Sequence, residues 1–335
     1  MKRSVSHKTM MLVLILVSIG AFLLAFFMGS SGISLPEFWA MLRGEASAAQ
    51  VNIFMTLRLP RALLAFCVGA ALSVSGCALQ GVFQNPIADP YVLGISGGAA
   101  LGATIALAFS IPGALFGVSM TTVFAFAFAL AAIMLVYTIS KVRGKVSTFS
   151  LLLSGFALSS MCTALIYCIM LFNRDKMEHI IMWNMGSLSS ASWERFFILL
   201  PVLVVCFILL RIYQKPLNIL LTGDEVSQSL GVDTNKIRRN LIILTALLTA
   251  AAVSVSGIIG FVGLMIPHIL RMIAGPNHVK LMPVCFVGGG AYLLLCDTAA
   301  KTILPGTELP VGIITALFGV PFFIYLLRRG KARGA

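Results

Sequence analysis

Asp297 is the one carboxylate that falls inside a long apolar run of this sequence, near the end of that run. Ionisable groups are costly in hydrocarbon, and several of them at mid-membrane mark proton or ion relays. One alone argues against ion coupling, although a sodium site built from backbone carbonyls would leave no such trace. Gly94-Ile95-Ser96-Gly97-Gly98 has the G-x-S-x-G form of a nucleophile elbow. That motif needs a strand-to-helix turn above a sheet, with an acid and a histidine to follow. Here it follows Asp89-Pro90 and opens an apolar stretch, so no catalytic residue is assigned. Gly94, Gly98 and Gly102 instead recur every four residues, a small-residue stripe that lets two helices approach closely. The cysteines Cys67, Cys77, Cys162, Cys168, Cys206, Cys285 and Cys296 all lie in or beside apolar runs, with no C-x-x-C among them. They read as small packing residues rather than a metal or disulfide framework. His179 and His268 could be imagined as haem ligands, but each lacks a paired axial ligand, and no metal site is assigned. No G-x-x-x-x-G-K-[ST] occurs, so the chain has no phosphate cradle of that kind and is expected to bind no cofactor.

The elements that carry these residues are set by hydropathy. The chain is 59% hydrophobic and 10% charged, with a mean hydropathy of +1.01. A soluble domain has about a quarter of its residues charged. Ten apolar runs, near 10–29, 62–82, 92–110, 115–140, 147–172, 195–213, 240–258, 261–275, 283–303 and 309–327, predict an all-α polytopic membrane protein. The eighth is short and broken by Pro267. The first follows Lys2, Arg3 and Lys8 and has a signal peptide as its rival; its length and the lack of a convincing cleavage site favour a retained helix.

The net charge of +13 could suggest nucleic acid, but its placement argues otherwise. With the N-terminus inside and ten alternating helices, 17 basic residues lie inside and 7 outside. The inside set includes Lys141, Arg143, Lys145, Arg238, Arg239 and Arg333; the outside set is Arg43, Arg58, Arg61, Arg174, Lys176, Arg195 and Lys301. That bias predicts both termini in the cytoplasm, with no nucleic-acid partner.

Ser73-Val74-Ser75-Gly76 recurs as Ser254-Val255-Ser256-Gly257, and at the same spacing Pro86 falls on Pro267. The sequence therefore reads as one membrane domain, 1–335, made of repeats near 1–190 and 191–335. Five helices per repeat is an odd number, so the halves must be inverted. The interrupted stretches, Phe83–Gly98 and Phe261–Gly275, point to a pathway, since broken backbone is tolerated where it lines a cavity or is buried in protein; a mere kink at each Pro is the alternative.

The longest cytoplasmic loop, Arg211–Asn240, holds a short helix signal. Thr222 is a candidate cap with Glu225 three residues on, and Gly231 a candidate stop. Two turns are too short to be stable alone in water, so the element must lean on something. It is either an ordinary solvated turn or a docking element for a cytoplasmic partner.

At these residues the sequence resembles the iron-chelate and cobalamin permease family of bacterial ABC importers. The matching stretches are Arg58-Leu59-Pro60-Arg61, Gly81 through Pro90 with Leu93 through Gly98, Gly223-Asp224-Glu225 with Leu230-Gly231, Gly260 through Leu264 with Pro267, His268 and Arg271, and Glu308 through Gly312 with Gly319 through Phe323. The resemblance implies a homodimer, two cytoplasmic ATPase subunits that hold ATP and Mg, and an extracytoplasmic binding protein. It implies a coupling loop at 214–239, with Gly223, Asp224, Glu225, Ser229, Leu230 and Gly231 meeting the ATPase. It implies docking of the binding protein on Arg58 and Arg61, with Lys301 as a further basic group; anchoring of a helix end is the alternative for the arginines. It places gates at Asn85, Pro86 and Ile87, beside Pro267, and at Thr148 with Phe149, where Phe149 departs from the small polar residue of the family. The cargo would be a ferric siderophore, haem or cobalamin. Met161, Met170, Met177, Met182 and Met185 could give such a cargo a pliable lining or simply fill a core.

Overall fold

The computed structural model describes residues 6–28, 35–115, 117–142, 145–304 and 306–331. Lys2, Arg3, Arg143 and Arg333, part of the charge count, lie outside the described residues. In hydrocarbon every backbone N–H and C=O must find its partner within the protein, so the apolar runs fold as helices. α1 (His7–Phe27) is followed by the short α2 (Leu35–Leu42) and α3 (Ala48–Ile53). A π-helical turn, Phe54–Arg58, joins α3 to α4 (Leu59–Val82), and the Met55 carbonyl within this turn accepts a hydrogen bond from Trp193 Nε1 at 2.8 Å. Then come α5 (Ile95–Ala108), α6 (Met120–Ile139), α7 (Thr148–Phe172), α8 (Met177–Asn184) and α9 (Trp193–Ile212). α10 (Gln214–Leu220) and α11 (Asp224–Ser229) lead into α12 (Thr234–Ser256), α13 (Val262–Ala274), α14 (His278–Thr302) and α15 (Val311–Lys331). Two-residue antiparallel ladders, Ala114–Leu115 with Val118–Ser119 and Lys141–Val142 with Lys145–Val146, turn the chain at either end of α6.

Among the described residues seven helices are long and apolar enough to cross a membrane: α1, the α3–α4 run, α6, α7, α9, α12 and α14. α5, α13 and α15 add three shorter apolar helices. The ten predicted spans are therefore all present as helices. Leaving out the short connectors, each half has five helices, and the third of each is the shortest, 14 residues in α5 and 13 in α13. The second helices, α4 and α12, pack together in opposite directions: Val82 and Phe83 at the end of α4 share a small cavity with Arg238 and Ile242 at the start of α12. This antiparallel run of α4 and α12 is the relation that inverted halves require of their second helices.

α4 is the axis of the molecule. The α3–α4 window is 89% buried, against 22% for α1, α7 and α9, which bury a single stripe each. In α1 that stripe is Ser18, Ala21 and Ala25, and α1 lies against α14 as a full member of the bundle. Close approach is bought by glycine. A Cβ on Gly76 would stand 1.8 Å from the Gly263 carbonyl oxygen of α13, and one on Gly98 or Gly102 would strike the α6 backbone at Phe128 or Phe124. The Gly98–Gly102 stripe is thus a packing surface, as its spacing predicts.

The two helix interruptions do not fall as the repeat spacing predicts. Gly76 lies inside α4, whereas Gly257, φ 71°, caps the end of α12. The first break is 83–94, but the second is 257–261; Pro267 sits inside α13 instead of breaking it. The reason is local. Pro267 cannot donate to the Gly263 carbonyl one turn back, and buried Gln80 of α4 supplies a donor: its Nε2 reaches the carbonyls of Leu264 at 3.1 Å and Gly263 at 3.4 Å. Phe261 enters α13 with φ 68°, and its ring fills the space over Gly319 of α15.

Candidate functional site

Thr222 does not cap α11; its Oγ1 turns back to the Ile219 carbonyl, and Gly223, φ 103°, is the residue that opens the helix. Gly231, φ 78°, ends it as predicted, with Val232 N bonded to the Ser227 carbonyl. Two contacts hold this six-residue helix. Asp224 and Arg238 of α12 form a bidentate ion pair at 2.7 and 2.9 Å, and buried Ser227 donates to the Ile219 carbonyl of α10. Everything else on α11 faces out: Glu225, Gln228 and Ser229 are exposed, and so are Val226 at 50% and Leu230 at 63%. Two bare aliphatic side chains on a charge-pinned helix form a protruding apolar knob.

The same end of the molecule carries the first break. Gln84, φ 49°, donates from Nε2 to the Leu220 carbonyl at 2.6 Å, tying the break to α10. Asn85 Oδ1 accepts from Ile87 N at 3.1 Å in an Asx turn, leaving Pro86 and Ile87 exposed. Thr148 opens α7 under the cap of Ser147 and lines a small cavity with Phe83, Asn235, Arg238 and Arg239; Phe149 points away, 75% exposed. Thr148 therefore meets the first break at Phe83, while Pro267 stands in α13 with His268 beside the Pro86 backbone.

The two breaks meet each other. Tyr91 Oη donates to the Ile259 carbonyl at 3.0 Å and accepts from Ile259 N at 3.2 Å. Asp89 Oδ1 accepts from Tyr91 N at 2.8 Å and fixes that turn. Burial pushes the Asp89 carboxyl up to about 6, with the Tyr91 N–H pulling the other way.

At the opposite end, Asp297 is fully buried between two cations. Arg61 reaches it from Nε and Nη2 at 3.0–3.2 Å and Lys301 Nζ at 3.1 Å, while Arg61 Nη1 also holds Glu308 at 2.8 Å. The expectation of Arg61 and Lys301 as exposed docking cations is corrected here: their side chains are 13% and 12% exposed and are committed to Asp297. The cause is the carboxylate itself, since a buried Asp297 needs counter-charge. The clamped carboxylate ties α4 to α14 through Arg61. Arg58 donates to the Phe26 carbonyl of α1.

The profile of the FecCD transport family matches residues 13–329, nearly the whole of the chain. The chain belongs to the FecCD transport family. It is 43% identical over 291 residues to the cobalamin import system permease protein of Halobacterium salinarum, covering 87% of this chain and 77% of that one. It is 38% identical over 307 residues to the hemin transport system permease protein of Yersinia pestis, covering 91% and 90%. A solved structure described as a metal-chelate type ABC transporter in an inward-facing conformation superposes with a TM-score of 0.85 at 32% identity, covering 96% of this chain and 99% of that one.

In this FecCD protein α11, the first break and Thr148 come together at one end, and Arg58, Arg61 and Lys301 gather at the other. Sequence reasoning gave no structural tie to four residues that join the helices here: Gln80, Tyr91, Arg238 and Glu308. Gln80 and Tyr91 gave a weak signal, being polar residues inside the 62–82 run and at the edge of the 92–110 run. His179 and His268 are not brought together: His179 lines a cavity with Arg195, and His268 stands by Pro86. None of the five methionines is buried; Met182 lines the Arg195 cavity, and Met170 and Met185 line a groove of about 410 Å³ with Ser96, Ser159 and Thr163. The cysteines are free, six of them buried and Cys168 exposed.

Proposed function

We propose that this chain is the membrane pathway of an ABC importer for a ferric siderophore, with haem or cobalamin as the alternative cargo of the same machinery. The observation that carries the reading is α11: an exposed Val226–Leu230 knob held rigid on the bundle by the Asp224–Arg238 pair. An isolated two-turn helix has no stability of its own to spend on such a surface, and a firmly mounted one transmits force. Two cytoplasmic ATPase subunits, which carry the ATP and Mg, seat on it. Their closure rocks two copies of the chain against each other, and α7, mostly exposed and mixing hydroxyls with aliphatics, supplies a face for the second copy. Both termini and α11 then lie in the cytoplasm of a multi-pass inner-membrane protein. An extracytoplasmic binding protein docks at the opposite end, with Arg58 at its rim. Asn85, Pro86 and Ile87 of the first break and Thr148 with Phe149 gate the inner side, with Pro267 behind them.

The cobalamin and hemin permeases it resembles are named for different macrocycles, which agrees with a path of low selectivity and a binding protein that chooses the cargo. The test is reconstitution: the chain, co-expressed with its partner ATPase and binding protein, should import its chelate only with ATP. Uptake that follows an ion gradient and ignores ATP would assign it to the secondary transporters instead.

A further inference from the structure

Arg195 stands in the wall of a cavity of about 420 Å³ at the end opposite α11, and no ion pair among the described residues includes it. It lies in the first turn of α9, where Ser192 caps its backbone N–H. One nitrogen, Nη1, donates to Ser190 Oγ and to the Val255 carbonyl at the end of α12. Those are neutral acceptors; they orient the guanidinium without neutralising it. Around it the cavity presents the Ser187 and Ser189 hydroxyls, the soft side chain of Met182 and the indole of Trp183. The carboxylate that shares this wall, Glu308, is already held by Arg61 Nη1, and the adjacent Glu194 is exposed to solvent. The Ser187 hydroxyl donates to Ser189 Oγ at 2.9 Å, which leaves the Ser189 hydroxyl to donate into the cavity. A half-buried cation without a counter-ion, with such a hydroxyl beside it, is a site that gains by taking an anion.

We infer that this cavity is a subsite for a carboxylate group of the cargo, bound by the Arg195 guanidinium with the serine hydroxyls beside it. The inference rests on the import reading above, which makes this the side from which cargo arrives. A charged chelate would be drawn to the cavity before the path opens. Planar, two-nitrogen recognition is what an arginine offers a carboxylate and a lysine does not.

Binding alone can test it, without transport. The purified full-length chain in detergent is titrated with tricarballylate, a metal-free tricarboxylate, and followed by tryptophan fluorescence, Trp183 being the reporter. We expect a saturable change that Trp183→Phe removes, that the uncharged triamide does not produce, and that salt weakens. Arg195→Gln should raise the midpoint about tenfold, the loss of roughly one charge-assisted pair, with Arg195→Lys falling between. Because Arg195 also anchors α9 to Val255, Ser187→Ala with Ser189→Ala is a second variant that leaves that anchor in place and should weaken binding about twofold to threefold. No saturable response, or a midpoint that ignores Arg195→Gln, Arg195→Lys and the serine pair, would overturn the subsite. Failure of ATP-dependent uptake with this titration intact would count against the import reading alone.

Discussion

Gln80 Nε2 on α4 lies 3.1 Å from the carbonyl oxygen of Leu264 on α13 and spans to that of Gly263, the acceptor that Pro267 leaves without a helical donor. The far side of the same amide, Oε1, accepts from Arg271 Nη1 at 2.8 Å. One buried side chain thus repairs a proline-interrupted helix and orients a cation.

Gln80→Leu should therefore destabilise the protein by about 1–3 kcal/mol, the cost of leaving buried polar groups unmatched. Thermal unfolding in detergent measures it. In a Pro267→Ala background the helix recovers its own donor, and the Gln80 effect should shrink; equal losses in both backgrounds would mean that the amide does not serve the proline break.

Val226→Asp or Leu230→Asp on the α11 knob should weaken ATPase attachment at least about tenfold, as removal of a buried anchor does at an interface. Glu225→Ala should have a smaller effect, since the carboxylate is solvated. Co-purification of the ATPase and ATP-driven uptake read this out, with an unchanged melting temperature showing that the bundle is intact. Asp224→Asn should loosen α11 through Arg238 and give partial uncoupling.

Asp297→Asn would leave Arg61 and Lys301 facing each other without their carboxylate, and should cost about 3–5 kcal/mol. Lys301→Met leaves the Arg61–Asp297 pair whole and should cost much less. A charge reversal at Arg61 is therefore a test of folding first. Docking of the binding protein is better tested by Arg58→Glu, with a salt-dependent loss of association rate as the expected outcome.

Asp89 sets a pH dependence with a definite sign. Its carboxyl is raised by burial from its ordinary 3.8 to about 6, so the folded state holds the proton more tightly than the unfolded chain. The protonated carboxyl's contribution is complete below about pH 4 and is lost as pH rises through about 6, at most about 3 kcal/mol. Solvent at this half-buried group reduces that figure. The melting temperature should rise on going from pH 7 to pH 5, and Asp89→Asn should flatten the change.

What the sequence determined by itself was the set of helices and the opposed run of α4 and α12. Apolar runs of membrane-spanning length have one solution in hydrocarbon, and an odd offset in span order from α4 to α12 needs no more than alternation to reverse their directions. Local signals also carried the Gly231 stop and the Gly98–Gly102 packing stripe, because φ preference and residue size act within a turn or two of the chain. The tertiary structure decided the rest. Pro267 read as a break because its missing N–H is a local fact; that the helix survives depends on Gln80, 187 residues away in sequence. Arg61 and Lys301 read as solvent-facing cations because they end apolar runs, yet the fold swings both onto Asp297. Arg195 read as one more outward charge, and only the packing of α9 against the end of α12 shows it lining a cavity whose acid, Glu308, is held by Arg61, with no ion pair of its own among the described residues. Burial and counter-charge are properties of the assembled bundle, and no spacing along the chain encodes them.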